Sequence, residues 1–171
     1  MLDDAVSGDE RPPWTCPSCG HRFVTANVWH SCTSFEVDAA LAGLPSEVLA
    51  AWTRFVEMIA ACGPITVIAQ KSRIVIMSRV RFAGVVLRRR KLIASFALTR
   101  EVPDARFRIE RYSERWIAHR FDLTSPADLE IPRLAELLCE SYRDLGMQGA
   151  PFRTRRRSVQ PAPEPASRSV E

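Results

Sequence analysis

Between Ile65 and Leu123 the chain carries six short runs rich in β-branched and aromatic residues: 65–69, 74–77, 82–87, 92–98, 107–112 and 116–123. No gap between them is long enough to hold a crossover helix, since a parallel connection needs about a dozen residues. Neighbouring runs must therefore pair antiparallel. That single constraint restricts the fold class to α+β: a mostly antiparallel sheet of five or six strands, packed by helices that lie outside it in sequence.

The flanking segments supply those helices. Ser34 is placed to cap a short helix over 35–42 that stops at Gly43 and Pro45. Ser46 is placed to cap a longer one reaching Cys62, in which Leu49, Trp52, Phe55, Val56 and Ile59 recur at three- and four-residue intervals and Gly63-Pro64 ends the run. Ser125-Pro126 opens a last helical region, where Pro132 marks a fresh first turn. Leu134, Leu137, Leu138, Ser141 and Leu145 share one face there, and Gly146 closes it. Trp52, Phe55 and Ile59 are expected to pack with Leu134, Leu138, Val75 and Val85 on one sheet face. Residues 1–13 read as a disordered lead and 148–171, rich in Pro, Ser and Arg, as a flexible tail.

Upstream of the helices, residues 14–34 place three cysteines and two histidines close together. Cys16-x2-Cys19 forms a turn in which both thiolates reach one ion, and Gly20 supplies the positive φ such a turn often needs. Zinc, with four borderline ligands in a tetrahedron, is the expected cofactor. Cys32 is the natural third ligand. For the fourth, one register takes His30 and the other takes Glu36 or Asp38; the set Cys16, Cys19, His30 and Cys32 is preferred, because carboxylates are uncommon in structural zinc sites. His21 is left to solvent or to a thiolate. Neither His-Glu-x-x-His nor a deaminase pattern accompanies the cluster, so the ion is read as structural.

At 171 residues, 46% hydrophobic and 26% charged, the chain suits one globular domain with a small appendage. It shows no signal peptide and no apolar run able to cross a bilayer, which points to the cytoplasm. Cys62 and Cys139, each alone at an apolar helical position, are expected to be reduced, buried and inert.

The net charge of +4 is unevenly spread. Residues 71–120 hold 14 basic and 4 acidic side chains, a balance of +10, whereas residues 1–70 stand at −5 and 121–171 at −1. The candidate anion- or nucleic-acid-binding residues are Lys71, Arg73, Arg88, Arg89, Arg90 and Lys91, with Arg79 and Arg81 on neighbouring strands and a second cluster at Arg153 and 155–157. No aromatic stacking pattern is evident, and basic strands also discourage edge-to-edge aggregation, so a solvated basic face is the plainer reading.

Beyond the individual motifs, the chain resembles bacterial proteins carrying domain of unknown function 5655. The resemblance rests on Trp14-x-Cys-Pro-x-Cys-Gly and His30-Ser-Cys32, on Cys62-Gly-Pro-Ile, Lys71-Ser-Arg-Ile and Phe82-Ala-Gly-Val, and on Leu98-Thr-Arg, His119-Arg-Phe-Asp-Leu and Ser141-Tyr142. It spans about residues 14–146 and implies an α+β domain of a kind compared with frataxin. It brings no established activity and hence no catalytic residues. Iron handling is disfavoured, because a basic strand region repels a cation.

An enzyme is also disfavoured: His119 is the one histidine outside the metal segment, and no phosphate loop or nucleophile motif joins it. Convergence of Lys71, His119 and Tyr142 in one pocket would revive that reading. The expected function is a non-catalytic, zinc-containing binding or accessory module with a protein or nucleic-acid partner and no membrane. Polyanion binding by the basic sheet is the alternative, and a small-molecule enzyme the third reading.

Overall fold

A computed structural model of the protein describes residues 14–18, 20, 22, 23 and 36–148. The expected lead, the expected tail from 149 on and the expected cap at Ser34 lie outside these residues.

Two helices precede the sheet: α1 (Val37–Leu41), entered from Glu36, and α2 (Ser46–Ala60). Pro45 occupies the N-cap of α2 and Ser46 is its first residue rather than its cap, so the helix begins one position earlier than expected. Proline suits this place because the first helical amides lack intrahelical acceptors in any case. α2 buries Val48, Ala51, Trp52, Phe55 and Ile59, the stripe that the apolar spacing anticipates shifted slightly toward small residues.

The strands are β3 (Thr66–Gln70), β4 (Arg73–Met77), β5 (Arg81–Arg88), β6 (Lys91–Leu98), β7 (Arg108–Ser113) and β8 (Trp116–Leu123), numbered after the short hairpin β1 (Trp14–Thr15) and β2 (Arg22–Phe23). β3 to β8 form one six-stranded sheet in the order β3-β4-β5-β6-β8-β7, with every neighbouring pair antiparallel. The order departs from a simple meander because β7 is exposed at every residue, whereas β8 buries Ile117, Ala118, His119, Phe121 and Leu123. A strand with no apolar face belongs at an edge, and its charged residues protect that edge from pairing.

One sheet face carries the core. Ile74, Ile76, Val85, Leu92, Ala94, Phe96, Phe121 and Leu123 meet α2 and α3 (Leu134–Ser141). A 3₁₀ turn over Pro126–Leu129 leads toward α3; the Asp128 carboxylate accepts from the Ser125 and Thr124 amides at its start (2.9 and 2.6 Å). α3 continues into a π turn over Tyr142–Gly146. All five apolar-face residues expected in this region, Leu134 to Leu145, are buried. Ser141 completes the fit by donating to the Ala97 carbonyl at 2.6 Å. Val75 departs from expectation. Ile74 and Ile76 take the helix side, so the two-residue alternation turns Val75 to the opposite face.

Cys62 and Cys139 also depart from expectation. They form a disulfide between the end of α2 and the middle of α3, with Cα atoms 5.1 Å apart. Seventy-seven positions separate them in sequence, so spacing could not reveal the approach. Cysteine usage therefore no longer argues for a reducing compartment.

Candidate functional site

The face of the sheet away from the helices is concave. Its floor is made of small side chains in adjacent strands, Gly84 of β5, Ser95 of β6 and Ala118 of β8, and its rim holds Arg73, Arg81, Tyr112, Trp116 and Arg120. The hollow has a volume of about 700 Å³, within the range of roughly 300–1,000 Å³ typical of ligand sites. β4 and β7 stand four steps apart in the sheet, about 19 Å at 4.8 Å per step. Arg73 and Tyr112 nonetheless line the same hollow, so the sheet curls toward this side.

Two bulges mark the curl. On β7, Arg111 pairs with Ile117 and Ser113 with Trp116, leaving Tyr112 as the extra residue, on the open face it shares with Arg108 and Glu110 by alternation. On β5 the register shifts so that Phe82 is the extra residue. Phe82 turns into the core against Tyr142 and over Gly146, where an added Cβ would come within 2.6 Å of its ring. The floor is held bare by a comparable close approach, since a Cβ on Gly84 would lie 2.4 Å from the Ile74 carbonyl oxygen. Only hydrogen fits there.

Charge on the rim is divided. Arg120 pairs with Glu110 at 2.9 Å and donates to the Tyr112 hydroxyl at 2.7 Å, while that hydroxyl donates to Glu110. The hydrogen bond to Glu110 and partial burial push the Tyr112 pKa up, so the phenol stays neutral; the Arg120 charge and, less, the Arg73 charge oppose this. Arg73 and Arg81 have no carboxylate within ion-pair distance among the described residues. They are cations available to a ligand.

The residues that the basic run singled out are dispersed. Arg73 lies in the hollow, and Lys71 sits exposed in the β3–β4 turn. Lys91 pairs with Asp122, which also takes Arg108 at 2.7 Å. Arg88 donates to the Leu87 carbonyl. Arg89 and Arg90 turn toward Gly43 and Pro45 in the α1–α2 loop, away from the hollow. Sequence reasoning missed Tyr112, Trp116 and Arg120. The alternation along β8 places Trp116, Ala118 and Arg120 on one face, and that along β7 places Arg108, Glu110 and Tyr112 on one face, so periodicity could have signalled all three.

The enzymatic constellation does not assemble. Lys71 lies by the Leu87 end of β5, where Leu87 donates its amide to the Ser72 carbonyl, and Tyr142 packs on Phe82 near the other end. His119 is fully buried on the helix side of β8, stacked on Phe96 and edge-on to Phe107, with Nε2 accepting the Val102 N–H at 2.9 Å. That bond places the proton on Nδ1, which makes no hydrogen bond of ordinary geometry. Burial pulls the His119 pKa down, against a smaller opposing effect of the Ile117 backbone. The unfolded chain thus binds a proton near the ordinary value of about 6.5 that the folded chain resists, and stability must fall as pH drops through this value. Thermal unfolding followed from about pH 7 to about pH 5 is expected to show that decline, and His119→Gln to flatten it. Asp104 does not share the window, since Arg106 holds its carboxyl at about 2.

Of the expected metal ligands, Cys16 is buried at 4% exposure in the turn after β1; Cys19, His30 and Cys32 lie outside the described residues. The Gly20 amide donates to the Cys16 carbonyl at 2.9 Å, and Gly20 takes φ +72°, as the sequence anticipates for this turn. Trp14 and Phe23 face each other across the hairpin with ring centroids 6.2 Å apart. Among the described residues no group of three His, Cys, Asp or Glu forms a cation site, and no helix is long and apolar enough to cross a membrane.

Comparison with curated proteins and with solved structures returned no match. A family described only as a domain of unknown function does match, over residues 37–144, which takes in both long helices and the whole six-stranded sheet. The chain belongs to the family of domain of unknown function 5655.

Proposed function

We propose that the protein is a non-catalytic binding module whose ligand surface is the concave open face of the sheet, and that the ligand is anionic. The observation that carries this reading is the pair Arg73 and Arg81, unneutralised beside a ligand-sized hollow with a bare floor. Six other strand-region cations, Lys91, Arg100, Arg106, Arg108, Arg111 and Arg120, are matched with carboxylates, so the charge at Arg73 and Arg81 is not offset in the same way. An anion entering the hollow supplies the partner these two lack among the described residues.

Inorganic polyphosphate is a suitable probe because it carries charge and nothing else. It is expected to bind at low salt and to release steeply as salt rises. Replacing Arg73 and Arg81 with Ala is expected to make the log–log salt dependence shallower by about two, roughly one for each phosphate no longer neutralised. Replacing Arg88, Arg89 and Arg90 measures the hairpin tip separately. Absence of polyphosphate binding at low salt would overturn the reading.

The zinc element belongs to the same proposal as a structural appendage. Cys16, Cys19, His30 and Cys32 would hold the ion, and the buried Cys16 with its glycine turn is compatible with a thiolate ligand. Protein purified without chelator is expected to carry about one zinc per chain, lost in Cys16→Ser and Cys32→Ser while the sheet stays folded. Full metal content in His30→Ala would transfer the fourth position to Glu36 or Asp38.

A further inference from the structure

We infer that the anion taken by the open face is single-stranded nucleic acid, with Tyr112 and Trp116 stacking on its bases and Arg73 and Arg81 meeting its phosphates. The inference rests on the anion-binding reading above and adds the other half of the ligand's chemistry.

Polyphosphate accounts for the arginines but not for the rings. Tyr112 is 62% exposed, so most of its ring is open to a ligand. Its hydroxyl is fastened by Glu110 and Arg120, so the ring is already oriented before a ligand arrives. Trp116 stands opposite the bulge at Tyr112 and lines the same hollow. Between these rings and the two arginines lie the small residues Gly84, Ser95 and Ala118, with Val75 and Val86 beside them, an apolar floor that suits a flat group. The exposed Tyr112 and the half-buried Trp116, beside available cations on a curved sheet, form a stacking platform with an electrostatic guide, the arrangement that binds unpaired bases.

Two neighbouring ligands fit less well. A duplex hides its base faces, and no helix or ribbon among the described residues projects from this surface to enter a groove. A free mononucleotide would satisfy only part of the charge. β5 carries Arg81 at one end and Arg88 at the other, about 23 Å apart at 3.3 Å per residue, and the pairing of Arg73 with Val86 puts a third cation between them. Gly84, Val86 and Arg88 share a face by alternation, so the charge continues beyond the hollow along β5.

The test compares oligothymidylate with an abasic deoxyribose-phosphate oligomer of equal length, with thymidine monophosphate and with a duplex, all at one low salt concentration. Oligothymidylate is expected to bind about tenfold or more tighter than each of the others, as base stacking on aromatic side chains implies. Tyr112→Ala is expected to remove most of that advantage, bringing oligothymidylate affinity close to that for the abasic oligomer measured on the same variant, and Tyr112→Phe to keep most of it. Ser95→Leu, which fills the floor without touching charge or ring, is expected to have the same effect as Tyr112→Ala. Equal affinity for oligothymidylate and the abasic oligomer overturns this inference and leaves polyphosphate binding intact. So does a mononucleotide or duplex that binds as tightly as the single strand. Failure of every probe, polyphosphate included, removes the anion reading as well.

Discussion

Reduction of the Cys62–Cys139 disulfide is expected to lower the unfolding free energy by about 4.5 kcal/mol. The bridge closes a loop of 77 positions, and restricting a loop of that length in the unfolded chain is the source of most of the effect in the chain-entropy treatment. It also fastens the end of α2 to α3, two helices that pack on the same sheet face. Denaturant unfolding with and without reductant measures the difference, and Cys139→Ser is expected to reproduce the reduced value. An unchanged midpoint on reduction would mean that the two thiols are not bridged in solution.

Phe55→Ala is expected to destabilise by about 3 to 5 kcal/mol, the range for removing a buried aromatic ring. Phe55 has no exposed surface, sits at the centre of the buried stripe of α2 and meets Phe121 of β8 edge to face at 6.1 Å. Its loss leaves a cavity between helix and sheet that rigid strands close poorly, so the cost exceeds the transfer term alone. Urea unfolding with an unchanged m-value and a lower midpoint is the expected signature. A near-neutral result would place the wrong face of α2 inward.

The strands and the α2 stripe are legible in the sequence because each depends on local periodicity, and periodicity is written residue by residue. Strand bounds differ from the apolar runs by at most one position, as at Thr66–Gln70 and Arg81–Arg88. The side that Val75 takes is not legible, because β4 is apolar at four successive positions and the alternation is hidden. The order β6-β8-β7 and the Cys62–Cys139 bridge depend on the meeting of distant segments, and no short window records them.

The candidate site shows the same division. The most conspicuous basic run, Arg88 to Lys91, is conspicuous because its residues are adjacent in the chain. Adjacency in a hairpin sends them in different directions: Lys91 to Asp122, Arg89 and Arg90 toward the α1–α2 loop. Arg73, Arg81, Tyr112, Trp116 and Arg120 are scattered over β4, β5, β7 and β8 and converge only because the sheet curls. Alternation puts Tyr112 on the side of Glu110, but which side of the sheet that is depends on the pairing of β7 with β8.

Whether the open face is the ligand surface can be read from amide chemical-shift mapping during titration with oligothymidylate. The largest changes are expected at the amides of Gly84, Ser95 and Ala118 and at the Trp116 indole, while Phe55, Leu138 and other helix-side residues stay still. Changes confined to the hairpin tip, Arg88 to Lys91, with the hollow unaffected, would rule the open face out.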